Sequence, residues 1–212
     1  RSTPSNSSAA SDVYKRQHNP INDFGVMARQ QEGDPVPYEH EFYSTVLKGI
    51  FSIDIDNVGK FYEIEKTGYK NMYSELIDKA SQFGAMRNEV EKYWLLPVTI
   101  RKKRIKETLL ALSYLSGGAK QAQHLTDVSP KFIVLAVVNG GNHIFMNIAN
   151  EEGVKLNALA EVVNDYKDVI LTDIFIGKRQ GFMDEINNNL EEFSKKSWNE
   201  GKIKVQIGPV ND

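Results

Sequence analysis

Cysteine is absent from this chain of 212 residues, which excludes disulfides, cysteine-ligated zinc, iron–sulfur clusters and a cysteine nucleophile. Long apolar runs are also absent, since none approaches the roughly 20 residues that a membrane-spanning helix needs. No charge of one sign dominates, because 26 lysines and arginines face 28 aspartates and glutamates. The net charge of −2 therefore gives no general indication of a nucleic-acid partner. Length and composition are those of one globular domain, with room for a large insertion.

The first 17 residues, RSTPSNSSAASDVYKRQ, are polar, aperiodic and unlike the rest of the chain. Residues 7–17 match the translation of a common sequencing-library adapter in one reading frame. We therefore predict that residues 1–17 are adapter-derived, non-native and disordered, the alternative being a disordered natural N-terminus. Removing 17 of the 212 residues leaves 195, and their charge is −4 because the segment itself carries +2. An adapter at this end also predicts that natural N-terminal residues are missing.

Hydrophobic periodicity predicts an alternation of helices and strands in residues 18–212. Helices are predicted over residues 68–83, 99–116, 154–166 and 182–198. Strands are predicted over residues 41–56, 131–138, 169–176 and 202–207, and residues 18–38 are predicted to be loop-like because of their turn signals. Of these strands, 131–138 (KFIVLAVV) has the unbroken apolar character of a buried central strand. The glycine fingerprint of a nucleotide-binding Rossmann unit is missing, so the pattern favours an α/β, RRM-like (ferredoxin-like) domain with residues 57–98 as an insertion.

Residue types that carry out catalysis or bind metals show no informative spacing. The histidines have no metal-ligand spacing to one another: His18, His40, His124 and His143. Asp54 and Asp56 share one face of the predicted strand over 41–56, and a solvated strand face explains them better than a cation site. The sequence contains no phosphate-binding loop of the Walker type and no nucleophile elbow. We therefore predict no catalytic residue, no metal and no cofactor.

Three stretches suit an anionic or base-bearing ligand. A basic cluster enters the helix predicted over 99–116: Arg101, Lys102, Lys103, Arg104 and Lys106. Residues 117–124 (GGAKQAQH) combine open backbone N–H groups with a lysine, two amides and a histidine. Residues 24–29 (FGVMAR) place apolar side chains beside an arginine, which is an arrangement that can unstack bases. A solvated helix face, a polar loop after a helix and a core-facing turn are the respective alternatives.

Residues 23–29 (DFGVMAR), 42–59 (FYSTVLKGIFSIDIDNVG) and 117–137 (GGAKQAQHLTDVSPKFIVLAV) occur here in one order. Together they resemble the CRISPR-associated protein seven family, the DevR-type backbone subunit of type I Cascade, most closely that of subtype I-B. The GAKQ motif followed by a polar loop and an apolar strand is the most specific part. The resemblance covers essentially all of residues 18–212.

The resemblance implies an RRM-like palm with insertions, incomplete at the N-terminus, and a cytoplasmic, non-catalytic role in antiviral defense. Copies of such a subunit polymerise head-to-tail along the spacer of the CRISPR guide RNA and meet target DNA through that guide, together with other Cascade subunits. The resemblance implies guide contacts at Lys120 and Gln121, which match the GAKQ motif, and next to them at Gln123 and His124. Phe24, Met27 and Arg29 match the segment near which the family has a base-wedging methionine. Arg101 and Arg104 are added on charge alone. A metal-independent CRISPR RNA endonuclease using His124 as general base, or an operon autoregulator, are the alternatives.

Replacing Lys120 by alanine tests the motif on which the resemblance depends most. If Lys120 contacts a guide phosphate, Lys120→Ala weakens binding about equally for RNAs of unrelated sequence, because a phosphate contact carries no sequence information. The plot of log affinity against log salt also loses roughly 1 from its slope. Filter binding at several salt concentrations measures both quantities, and an unchanged slope would remove Lys120 from the phosphate contacts.

Overall fold

The structure is a computed structural model, and it describes residues 21–27, 36–42, 46–63, 72, 74–117, 127–150 and 153–211. The chain divides into two compact units. The first unit comprises Arg1–Phe51 and Asn139–Val169, and the second comprises Ser52–Val138 and Ile170–Asp212. The predictions for residues 1–17, and for residues 57–98 as an insertion, stay predictions.

An antiparallel hairpin opens the first unit. Strand β1 (Ile21–Met27) pairs with β2 (Val36–Phe42), and Phe24 lies opposite Glu39. The loop predicted over residues 18–38 is therefore wrong for β1 and for the start of β2. Two of the three turn signals that suggested a loop, at residues 19–20 and 33–35, lie just outside the two strands, whereas the third, Val36-Pro37, is the start of β2. The first two bound the hairpin, which is the usual place for such residues.

The remainder of the first unit is a short strand pair followed by a helix. Strands β7 (Ala149–Asn150) and β8 (Gly153–Val154) are antiparallel, and α3 follows as Leu156–Asp165. Leu159 and Val163, four residues apart, are completely buried and form the inner face of α3. The helix predicted over residues 154–166 is confirmed.

The largest sheet lies in the second unit and has the order β10–β9–β6 among the described strands. Strand β6 (Phe132–Leu135) is antiparallel to β9 (Ile174–Lys178), and β10 (Val205–Gly208) is parallel to β9. The strand predicted over 131–138 is found at Phe132–Leu135 with half-buried residues, and among the described strands it pairs with β9. The strand order places β9 in the middle, where its side chains Ile174 and Ile176 are fully buried.

Three helices of the second unit agree with the predicted ones within a few residues. Helix α1 is Ser74–Gln82, α2 is Val98–Ser113, and α4 is Asn187–Lys195 after a 3₁₀ turn at Asp184–Ile186. On α2, the predicted stripe residues Ile105, Leu109 and Leu112 are half-buried. Leu115, assigned to the same stripe, lies beyond the end of α2 and is exposed.

A second sheet of the same unit has the order β3–β5–β4: Lys60–Tyr62, Tyr93–Leu95 and Met86–Asn88, all antiparallel. The strand predicted over residues 41–56 is wrong for residues 46–56, which form no strand; residues 41–42 belong to β2, and residues 43–45 lie outside the described residues. The Asp54 carboxylate instead accepts hydrogen bonds from the backbone N–H and the side-chain amide of Asn57. Asp54 thereby stabilises a turn, an alternative that short polar side chains offer to a strand.

The α/β fold class is confirmed, and the small sheets and four helices of the described chain are consistent with an RRM-like palm domain with insertions. None of these helices is both long and apolar enough to cross a membrane.

A close approach of the backbone at Gly177, in the central strand β9, gives a test of the packing. A Cβ atom there would lie 3.0 Å from the Cα atom of Val210, and a backbone atom cannot swing aside. We expect Gly177→Ala to lower the free energy of unfolding by about 1–3 kcal/mol, the usual cost of overpacking. Gly117→Ala is the control, because nothing lies within 4 Å of its added Cβ. Urea denaturation of both variants makes the comparison, and equal midpoints would contradict this packing.

Candidate nucleic-acid interface

The predicted guide-contact residues are spread over both units. Five of them lie outside the described residues: Arg29, Lys120, Gln121, Gln123 and His124. Phe24 and Met27 are on β1 of the first unit, and Arg101 and Arg104 are on α2 of the second. The described part of the chain therefore brings only Arg101 and Arg104 together.

The hairpin β1–β2 presents apolar side chains on one face. Phe24 is 73% exposed and Val26 is 65% exposed, and alternation along β1 puts them on the same side. On this side Asn22 donates a hydrogen bond of 2.6 Å to the Glu39 carboxylate. The backbone of Met27 pairs with that of Val36. An exposed aromatic ring on a paired strand is suitable for stacking against a base.

The opposite face of the hairpin depends on a glycine. A Cβ atom at Gly25 would lie 2.3 Å from the Cζ atom of the Tyr38 ring. The ring of Tyr38 therefore occupies the space that a side chain at position 25 would fill. This close approach explains why a glycine stands between the two exposed apolar residues of β1.

Arg101, near the start of α2, is engaged inside the protein. Its Nε donates to the carbonyl oxygen of Val58 at 2.8 Å, and its Nη2 donates to that of Ile55 at 2.9 Å and of Asp56 at 3.3 Å. Gly59 allows this contact, since a Cβ there would lie 3.1 Å from Cγ of Arg101. Arg101 thus fixes the turn before β3, and its predicted guide contact stays a prediction.

The other cations of this helix are available to solvent. Lys102, Lys103, Arg104 and Lys106 are exposed, and we call them the α2 basic face. Lys103 lies 3.8 Å from Glu107, and the Arg104 guanidinium carbon lies 5.9 Å from the centre of the Phe61 ring. Exposed pairs of this kind contribute little to stability. The α2 basic face is therefore able to attract phosphates.

The sheet beside α2 holds two further cations that the sequence did not indicate as site residues. Arg87 binds both oxygens of Glu63, at 2.6 and 2.9 Å, and the Trp94 indole donates to the same carboxylate. The Arg87 guanidinium holds the pKa of Glu63 below its usual value, and the indole adds to this effect. Lys60 lies over the rings of Tyr62 and Tyr93, at 5.2 and 4.1 Å.

The cations of this sheet stabilise the sheet itself. A hydrogen bond to Tyr62 raises the pKa of Lys60, so its ammonium stays charged. Only the aromatic composition of residues 89–97 could have indicated these contacts from sequence. Within the residues described here, no group of three or more histidine, aspartate or glutamate side chains is arranged to hold a metal ion.

Arg101 and the exposed Lys103 of α2 are expected to respond differently to substitution. Arg101→Ala removes charged hydrogen bonds to three carbonyl groups, so we expect a loss of about 1.5–3 kcal/mol in the free energy of unfolding. Lys103→Ala is the control, because its side chain is 75% exposed and we expect a change within about 0.5 kcal/mol. Urea unfolding provides the measurement. A fully stable Arg101→Ala protein would show that the turn holds without this residue.

The chain was also compared with known proteins. A family model described as CRISPR-associated negative auto-regulator DevR/Csa2 matches residues 3–157. Searches of curated proteins and of solved structures give no match. The match includes residues 3–17, which belong to the segment predicted to be adapter-derived. The adapter origin of residues 1–17 stays a prediction. Because the family model covers well over half of the sequence, the chain belongs to the CRISPR-associated DevR/Csa2 family.

Proposed function

We propose that this protein is a non-catalytic, CRISPR RNA-binding backbone subunit of a type I antiviral interference complex. Its copies polymerise along the guide spacer, contact target DNA through the guide, and associate with other Cascade subunits in the cytoplasm. Family membership supports the CRISPR-associated role. The observation that carries the RNA-binding part is the α2 basic face, where four exposed cations lie within five consecutive residues.

The charge pattern favours contact with the RNA backbone. A subunit that covers any spacer has to bind phosphates and sugars, since base edges differ from guide to guide. Lysine and arginine on one helix serve this purpose, and each contact releases counterions from the RNA. Among the described residues, Glu107 is within ion-pair distance of Lys103, and none forms an ion pair with Lys102, Arg104 or Lys106.

The hairpin of the first unit supplies the second kind of contact. Phe24 is exposed on a strand whose backbone is paired along its whole length. A ring held in this way loses little conformational freedom when it stacks on a base, and stacking accepts every base. Phe24 is therefore proposed as the residue that separates neighbouring bases of the guide.

The name of the family, negative auto-regulator, favours a second candidate, a regulator of its own operon. Such a regulator reads base edges in a duplex, so it prefers one promoter sequence over random DNA. An RNA endonuclease is the third candidate, with His124 as its general base. The three candidates differ in the nucleic acid that they prefer and in what happens to it.

The test is a titration of the protein with single-stranded RNAs of several lengths and unrelated sequences. The proposal predicts that the number of bound copies rises with RNA length and that affinity is similar for all sequences. Sedimentation velocity gives the copy number, and gel analysis of the same samples detects cleavage. Metal-independent cleavage that disappears in His124→Ala would establish the endonuclease, and preference for one promoter duplex would establish the regulator.

A pair of double variants isolates the α2 basic face. Lys102→Glu with Lys106→Glu should lower the salt slope for RNA by roughly 1.4, about 0.7 for each lost contact on a single strand. Lys195→Glu with Lys196→Glu makes the same charge change at exposed positions at the end of α4. If both pairs lower RNA affinity equally, net charge and not the α2 basic face governs binding.

A further inference from the structure

A crevice of about 640 Å³ lies in the second unit, outside every feature used for the proposed function. One wall is formed by residues at and after the end of β9, a second by one side of α4, and a third by the segment that ends and follows β10. Its volume is within the range of small-molecule sites, which is about 300–1,000 Å³.

The position of the crevice follows from the topology. Strands β9 and β10 are parallel and are connected through α4, so both end at the same edge of the sheet. The crevice is lined by Lys178 at the end of β9 and by Gly208 at the end of β10. In α/β sheets, ligands bind preferentially at the carboxyl ends of parallel strands.

Arg179 supplies a positioned cation in this crevice. Its Nε donates to the carbonyl oxygen of Pro130 at 3.1 Å, and its Nη2 donates to those of Ser113 at 3.4 Å and of the Asn211 side chain at 3.3 Å. Among the described residues, none accepts a hydrogen bond from its Nη1. The Arg179 guanidinium is held in place through Nε and Nη2, and its Nη1 can still donate a hydrogen bond. An anion that binds to Nη1 therefore costs little additional side-chain conformational entropy.

The other charges around the crevice leave Arg179 as the cation that meets a ligand. Lys178 is paired with Asp184, since its Nζ donates to the carboxylate at 2.6 Å and only 7% of its side chain is exposed. This ammonium holds the pKa of Asp184 below its usual value, assisted by the backbone N–H of Gly181. Glu191 is the one carboxylate among the lining residues that the structure gives, and it lies on α4.

The remaining lining residues are suited to a flat, polar ring. Three amide side chains line the crevice beside the apolar Ile207: Gln180, Asn187 and Asn211. The Asn187 side chain also bonds Asp184 and the Asn211 oxygen accepts from Arg179, so each of these two offers one remaining polar group, whereas Gln180 offers both. Amides offer a donor and an acceptor side by side, which matches the edge of a nucleobase. The loop beside them is strained, because Met183 holds a left-handed conformation with φ of 52°. Such strain is concentrated at ligand sites.

We propose that this crevice is a binding site for a mononucleotide, with the phosphate on Arg179, the base edge on the amides and the base plane on the exposed Ile207. The site does not rest on the proposed function, because none of its residues belongs to the α2 basic face or to the hairpin. It adds a small-molecule ligand to a protein whose expected partners are polymers.

Isothermal titration of the full chain with the four ribonucleoside monophosphates tests the site, with Gln180→Glu as the variant. Gln180 is exposed at the crevice, so a carboxylate there repels the phosphate without disturbing the core. We expect at least tenfold weaker nucleotide binding and an unchanged unfolding midpoint. Gln82→Glu, at the exposed end of α1, makes the same change elsewhere and should bind as the original protein does.

Other ligands and an RNA titration complete the experiment. Unphosphorylated nucleosides and inorganic phosphate should each bind at least tenfold more weakly than the best monophosphate. The proposal is overturned if phosphate alone or the nucleosides bind as tightly as the best monophosphate. It is also overturned if no nucleotide shows saturable binding at millimolar concentration, or if Gln180→Glu binds nucleotide with unchanged affinity. Affinity for long RNA should be the same in Gln180→Glu and Gln82→Glu, so a failure of the RNA proposal leaves this one intact.

Discussion

The second unit depends on the guanidinium of Arg179, which joins parts of the chain that are far apart in sequence. Its hydrogen bonds connect the end of β9 to the last turn of α2 at Ser113, to the segment before β6 at Pro130, and to Asn211 after β10. The Arg179 backbone N–H also donates to the carbonyl oxygen of Lys131. An apolar side chain would leave the carbonyl groups without donors, each at a cost of about 1–3 kcal/mol where it is buried. The orientation of α2, and with it the α2 basic face, therefore relies on a residue outside that face.

Arg101 has the same task at the other end of α2, so one arginine near each end of this helix is used for the fold. Arg87, Lys60 and Lys178 are likewise held by carboxylates or aromatic rings of their own unit. The total of 26 lysines and arginines thus says little about nucleic-acid binding. What matters is which cations remain exposed to solvent, and in the second unit these include the residues of the α2 basic face. A sequence cannot separate the two groups, because a cation committed to a carbonyl looks the same as one that is free.

The sequence predicted the elements whose stability is local. Helices α2 and α3 were predicted because an apolar stripe repeats along each of them. The predictions are wrong or incomplete where the local structure depends on residues that are distant in the sequence. The alternation at residues 51–55 suits a strand, but Arg101 fixes the carbonyl groups of this segment from 46 positions away. The pairing of β6 with β9 is another long-range contact, and the apolar run 131–138 does not encode it. For the candidate site, Arg101 and Arg104 were selected on charge alone. Only the hydrogen bonds of the structure show that Arg101 binds backbone carbonyl groups while Arg104 is exposed.

A negative net charge is compatible with both proposed kinds of ligand because the relevant electrostatics are short-ranged. At physiological salt, charges more than about 8 Å apart are largely screened from each other. A phosphate on the α2 basic face therefore responds to Lys102, Lys106 and their immediate neighbours, and not to carboxylates elsewhere on the chain. In the crevice the same reasoning applies to Arg179, since Lys178 already neutralises the nearby Asp184 and Glu191 is the one carboxylate among the lining residues. The two sites consequently differ in how salt should affect them. A row of exposed cations gives a steep dependence on salt, whereas one held guanidinium with several amides gives a shallow one.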